Sequence, residues 1–261
     1  MHTPFNRAAS FLLSAHPSTS WWLPPNAALH GRAFDEHLIL NLCIMLALLL
    51  LAHAILLLAL FARRRRTSQP TSMWLVEVIP IAMLTILFIW LSITAERLWA
   101  QQRYVGADPG AMQVEAVGVQ FQWYFRYPGA DAAFGQTRPE LVEPSAGNPL
   151  GLDRADAKSA DDLVTSELVL PAGREVDLRL RAHDVIHGLF IPSMRIKQNA
   201  LPGQTLHIHF TPEAPGKYAI LCSQLCGLGH YRMQATLRVV SEDDFMRWLR
   251  THQPSAHQVP Q

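Results

Sequence analysis

The sequence predicts a membrane-anchored all-β protein, a two-helix transmembrane hairpin followed by a β-sandwich or barrel. Three observations carry that expectation. Residues 38–62 contain no Asp, Glu, Lys or Arg across 25 positions. A second apolar run follows at about 74–95, interrupted by Glu77 and Pro80. From about residue 111 the long apolar runs give way to short segments of period two, separated by turn residues.

Residues 1–36 read as an exported N-terminal segment. They hold no apolar run placed before a small-residue cleavage site, so the first span is expected to insert uncleaved. As a helix, residues 38–62 would reach roughly 37 Å, more than the ~30 Å of a hydrocarbon core. The stretch is apolar on every side, which favours spanning over lying on a surface. Arg63, Arg64, Arg65 and Arg66 follow directly, and four consecutive positive charges mark a cytoplasmic connection. Both termini and everything after the second span would then face outward, in a bacterium the periplasm. The second span completes an anchor over 37–100. Pro80 is tolerated near a helix start or as a kink, and Trp74, Trp90 and Trp99 suit the two interfaces.

The outward part, 111–248, has apolar residues on alternate positions: Val114 and Ala116; Val176, Leu178 and Leu180; Leu206, Ile208 and Phe210. Turn signals such as Pro171-Ala172-Gly173 and Pro202-Gly203 separate them, and together they predict an antiparallel sandwich or barrel. Residues 128–163 are polar and rich in Gly, Pro and Asp, an irregular surface insertion. Ser241, with Asp244 three positions on, caps a terminal helix, and 249–261 reads as a tail. The chain has a net charge of +1, which removes any bulk electrostatic case for nucleic acid. Residues 104–261 carry 14 Lys and Arg against 17 Asp and Glu, so the outward part is mildly acidic. No catalytic nucleophile or acid–base pair stands out.

The densest chemistry lies in CSQLCGLGHYRM, residues 222–233, where two of the three cysteines of the chain meet a histidine and a methionine. Gly227 and Gly229 argue for a loop rather than a continuous helix. A disulfide is one reading in an oxidising compartment, but it leaves His230 and Met233 without a role, and so small a loop gains little from closure. Structural zinc is another, although Met is an unusual zinc ligand. Copper suits thiolate, imidazole and thioether together. A further imidazole would come from HDVIHGLFIPSM, as His183 or His187.

At this level of detail the segments DVIHGLFIPSMRIKQNALPGQ and PGKYAILCSQLCGLGHYRM resemble subunit II of the haem–copper cytochrome c oxidases, as does the aromatic stretch QFQWYFRY. The resemblance extends over nearly the whole chain. It implies a cupredoxin-like domain holding two copper ions in a dinuclear copper A centre. Cys222 and Cys226 would bridge them, with His187, His230, Met233 and the backbone carbonyl of Gln224 as the other ligands, and His183 outside the set. Trp123 would be the surface ring where electrons arrive from cytochrome c or a similar soluble donor. The partners implied are a haem-containing catalytic subunit I and other oxidase subunits, in a bacterial inner membrane, with O2 reduction coupled to proton translocation. The Cys-x2-Cys-His pattern of a fused haem domain does not follow Cys226, so the donor is expected to be a separate protein.

Two departures from the family pattern matter. Gln224 and Asn199 stand where many members have acids that hold magnesium, and neutral amides are weaker ligands for a hard cation, so the magnesium site is expected to be lost or altered. Glu77 lies near the start of the second span, about a turn later than the family's proton-pathway acid. It reads either as that acid or as one reaching the headgroups. Other assignments compatible with the residues are the copper subunit of a nitric oxide reductase and a membrane-tethered copper carrier or assembly protein.

Overall fold

In the computed structural model the described residues are 22–62, 72 and 74–252. The Arg63–Arg66 run, residues 1–21 and the tail from 253 lie outside them. Helix α1 spans Gly31–Ala62 and α2 spans Ile79–Arg103, the latter approached through one π-helical turn, Trp74–Val78. Both are long and apolar enough to cross a membrane, over Gly31–Phe61 and Ile79–Arg103, and neither is buried inside the protein. Pro80 lies in the first turn of α2, directly after the π-helical turn, where a proline is accommodated by the local change of helical pitch.

Helix α2 runs on past residue 95, and its last turn is tied to the outward part. Arg103 donates from Nη2 to the Lys197 carbonyl at 3.0 Å and from Nη1 to the Gln198 side chain. The start of α1 is tied there too. Asp35 accepts both Nε and Nη2 of Arg195, at 2.7 and 2.8 Å. Just upstream, Ala27 donates to Ser193 and accepts from Glu213, each at 2.8 Å. One end of each long helix therefore lies against the same side of the β domain.

The strands are β1 (Met112–Val119), β2 (Gln122–Tyr127), β3 (Leu163–Thr165), β4 (Glu167–Pro171), β5 (Val176–Ala182), β6 (His187–Ile191), β7 (Ile196–Ala200), β8 (Leu206–Phe210), β9 (Gly216–Cys222) and β10 (Gln234–Val240). They form two sheets, ordered β3-β2-β1-β5-β8 and β4-β10-β9-β6-β7. The alternating apolar positions share one core: Val114, Ala116, Leu178 and Leu180 from the first sheet, Leu168, Leu189, Ile220 and Leu237 from the second. This is the two-sheet sandwich the sequence led us to expect, with one correction. The sheets are not wholly antiparallel, because β1 pairs with β5, and β4 with β10, in parallel. Period-two alternation dictates which face of a strand is buried. It carries no information about which strand lies alongside, or in which direction.

Residues 128–163 are irregular, with 3-10 turns at Pro139–Leu141 and Pro144–Ala146 and a short helix α3, Ala157–Ala160. They are nevertheless clamped to the first sheet. Arg126 of β2 donates Nε to Asp162 at 3.0 Å and Nη2 to the Gly135 carbonyl at 2.7 Å, and it also faces Glu115. Arg126 and Asp162 are fully buried. Burial raises the Asp162 carboxyl above its ordinary range, against the pull of Arg126, so the pair holds position more than it adds stability. The last described element is α4, Glu242–His252, which runs into the segment read as a tail from residue 249; its Asp244 N–H donates to the Ser241 hydroxyl at 3.2 Å as a cap. Phe245 and Trp248 of α4 pack on Tyr127.

Asp162→Ala removes the hydrogen-bonded carboxylate of the buried Arg126 guanidinium and leaves it, among carboxylates, only the longer contact to Glu115 at 3.4 Å, and is expected to cost about 3 kcal/mol. Replacing both with apolar residues of similar volume should recover most of that loss. Thermal denaturation of the two variants checks it; equal destabilisation would show that packing, not the lone charge, dominates.

Candidate metal centre

Strand β9 ends on Cys222, and the chain returns into β10 at Gln234. The loop between them is pinched at its base, where Cys222 N–H donates to the Met233 carbonyl at 3.0 Å. Its two glycines have separate causes. Gly227 has φ +131°, in the region that disfavours a Cβ. Gly229 lies against the Phe121 ring, and a Cβ there would come within 2.3 Å of Phe121 Cδ2. A single 3-10 turn, His230–Arg232, then aims His230 and Met233 inward.

The result is a cluster of soft donors. The Cys222 and Cys226 sulfurs are 3.8 Å apart as free thiols. Cys226 Sγ lies 3.7 Å from His230 Nδ1 and 3.8 Å from Met233 Sδ. The Gln224 carbonyl oxygen is 3.2 Å from Cys222 Sγ. Burial, aided by the neighbouring Cys222, pushes the Cys226 thiol up to about 11, so any metal bound there must displace a proton.

His187, the first residue of β6, closes the cluster from the other side. Among the described residues, His187, Cys222 and Cys226 are the one group of three metal-ligating side chains with all donor atoms within 4.8 Å of one another. The ring is fully buried. Its Nε2 meets Asp184 Oδ1 at 2.8 Å, while Nδ1 is buried without a partner. A carboxylate only accepts, so Nε2 carries the proton and Nδ1 presents a lone pair. An orphaned buried lone pair facing two thiols, with the second nitrogen held by a carboxylate, is the arrangement of a metal-ligating histidine. The residues present fit a soft metal. His183 is not brought to the thiols; its ring lines a separate small cavity with Arg138 and Arg181.

Asp184 was not singled out from the sequence, yet it organises this end of the sandwich. Its Oδ1 also accepts Val185 N–H at 2.7 Å, and its Oδ2 accepts Gln120 N–H at 2.7 Å. Burial pushes its carboxyl up, but the hydrogen bonds from His187, Gln120 and Val185 outweigh that, and the net shift is downward. Gly118 makes the approach possible, because a Cβ there would sit 2.8 Å from His187 Cδ2.

Trp123 is a correction. Expected at the surface, it is fully buried, with its ring edge-on to His187 at a centroid distance of 5.9 Å. The cause is the pleat of β2, in which Trp123, Phe125 and Tyr127 share the core face. The aromatic that covers the loop is Phe121 of the β1–β2 turn, half-buried against Gly227 and Gly229, with the neighbouring Gln120 side chain donating to the Cys226 carbonyl at 2.6 Å. Around it the rim is apolar and open. Leu228 is 97% exposed, and Leu225, Tyr231 and Ile186 also face outward.

Comparison with known proteins follows the same lines. A family model described as cytochrome c oxidase subunit II, periplasmic domain, matches residues 112–240. An alternative cytochrome c oxidase subunit 2 of Bradyrhizobium diazoefficiens is 38% identical over 154 residues, covering 58% of this chain and 54% of that one. A cytochrome c oxidase subunit 2 of Cereibacter sphaeroides is 31% identical over 165 residues, covering 58% of this chain and 52% of that one. The chain thus spans about half the length of these curated relatives. The crystal structure of the periplasmic domain of subunit II of cytochrome oxidase of Bradyrhizobium japonicum aligns with a TM-score of 0.40 and 24% identity, covering 55% of this chain and 95% of that one.

Asp184→Asn keeps the shape but weakens the hold on His187. Metal affinity of the full chain, measured by competition with a chelator, is expected to fall by about 10–100-fold while the fold is retained. Unchanged affinity would remove Asp184 from the positioning role.

Proposed function

We propose, from the match of residues 112–240 to the family model of cytochrome c oxidase subunit II, that this chain is the membrane-anchored subunit through which electrons reach a respiratory terminal oxidase. It would accept them from cytochrome c or a similar soluble donor and pass them to a haem-containing subunit that reduces O2. The single observation that carries the reading is the meeting of Cys222 and Cys226 with the unpartnered Nδ1 of His187.

On this reading His187, Cys222, Cys226, His230, Met233 and the Gln224 carbonyl hold two copper ions. Bound copper supplies reversible one-electron storage in a thiolate and imidazole setting. The rest is the work of the chain. The donors come from β6, β9 and the loop into β10, anchored in one sandwich core, so the set resists rearrangement. Buried Cys226, Met233 and His187 keep water from the donor atoms. Trp123, sealed beneath His187, cannot meet a donor directly, so that role passes to Phe121 and the apolar rim around Leu228. Asn199 is paired with Gly188 in the β6–β7 ladder, and Gly188 in turn packs on Gln224. Two amides at that edge favour no magnesium. The orientation proposed places the domain and the start of α1 on the periplasmic side of a bacterial inner membrane.

Metal analysis of the intact complex is expected to find two coppers per chain and no stoichiometric magnesium. Cys226→Ser should abolish the dinuclear copper spectrum and oxidation of cytochrome c, while His183→Asn should leave both intact. Zinc in place of copper, or loss of the spectrum only on changing His183, would refute the assignment.

Glu77 stands in the turn that leads into the second span; the proposal is that it takes part in proton uptake, with headgroup contact as the alternative reading. Turnover of Glu77→Gln with normal haem content should fall. Undiminished turnover would remove the proton role.

A further inference from the structure

One imidazole lies deep within the first span. His53 is nine residues from Ala62, where α1 ends. At 1.5 Å per residue it sits roughly 14 Å in from that end, close to the middle of a ~30 Å hydrocarbon core. The side chains one turn away on either side, Leu49, Leu50, Leu56 and Leu57, are all apolar and exposed.

The hydrogen bonding of this ring is half complete. Nδ1 lies 2.8 Å from the Leu49 carbonyl. A carbonyl only accepts, so Nδ1 carries the proton of the neutral ring and Nε2 presents a lone pair. Among the described residues nothing pairs with Nε2. Nor is the rest of the chain placed to do so. Between Glu36 and Phe61 the partly covered positions of α1 are His37, Asn41 and Ile44, spaced along one face of the helix. His53 is nine residues past Ile44, about two and a half turns, and so points the opposite way. That is also the side on which the sandwich sits. Asp35 is eighteen residues before His53, about five full turns, and its carboxylate holds Arg195 of the sandwich. A membrane partner packed on this side stands beneath the metal-bearing domain.

Chemistry narrows the occupant. Lipid chains offer no hydrogen-bond donor, and a polar side chain at this depth is expensive unless a neighbouring helix satisfies it. A second copy of this chain related by a two-fold axis would bring its own His53 in the same tautomer, acceptor against acceptor. We propose that His53 is the hydrogen-bonded contact between the first span and a transmembrane helix of the haem-containing subunit, its Nε2 accepting from a hydroxyl or amide N–H of that helix. The identity of the partner rests on the electron-entry reading; the residue and atom that engage it come from the geometry of α1.

The test uses the intact complex, purified in mild detergent through a tag on this chain. His53→Leu keeps the span apolar, so membrane insertion is preserved, whereas His53→Gln restores an acceptor at the reach of Nε2. With haem per chain followed as detergent is raised, the haem subunit should dissociate roughly three- to twentyfold more readily from His53→Leu. His53→Gln should restore retention close to the unaltered chain, and Leu58→Ala, off that face, should leave it unchanged. In parallel, His53→p-benzoylphenylalanine, photoactivated in native membranes, should cross-link to a transmembrane peptide of the haem subunit. Equal dissociation of His53→Leu and the unaltered chain, or cross-linking only to lipid or to a second copy, would overturn the proposal. If the unaltered chain brings no haem subunit with it, the electron-entry reading fails too; if it does and the His53 results are negative, the contact alone fails.

Discussion

The metal end of the molecule depends on one carboxylate. Asp184 accepts the His187 ring, the Gln120 amide and the Val185 amide, and so joins the β1–β2 turn to the connection entering β6. Three N–H donors on one acidic group make the carboxylate form the stable one, and a charged acceptor fixes the imidazole tautomer. With Nε2 committed, Nδ1 must face the thiols. Phe121 follows in the same turn as Gln120 and covers the loop glycines, so the position of the β9–β10 loop is coupled to that carboxylate as well.

The two-sheet sandwich makes such convergence possible without a dedicated scaffold. His187 begins β6 and Cys222 ends β9, and these strands are neighbours, with Leu189 opposite Cys222. A histidine and a cysteine separated by more than thirty residues are thereby placed side by side by backbone pairing. The loop then needs only its pinched base and two glycines to turn Cys226, His230 and Met233 back towards them. Rigid strand ends hold the donors, and the exposed rim stays free to meet another protein. These two demands on one site, a fixed interior and an open edge, are met by different residues of the same loop.

Contact between the sandwich and the anchor is polar. Asp35 with Arg195, and Arg103 with the β7 backbone, bind the helices to the sandwich through charge-assisted bonds rather than a shared apolar core. The long helices bury none of their apolar window, as expected of segments whose solvent is lipid.

Much of this was legible in the residues alone. Two long apolar runs that cross a bilayer must be helical, because lipid leaves the backbone no other way to satisfy its hydrogen bonds. The alternation in β1, β5 and β8, the Ser241 cap and the crowding of sulfur and imidazole donors into residues 222–233 are likewise local properties of the chain. What could not be read there depends on distance in space. The parallel pairings, the burial of Trp123 and the choice of His187 over His183 each turn on which strand lies alongside and which face it presents. Asp184 belongs to the same class, since a carboxylate's partners exist only once remote segments meet. Sequence determined the elements and the kind of chemistry, through composition and period; tertiary packing decided which atoms face one another, because burial and pairing are properties of contacts between segments.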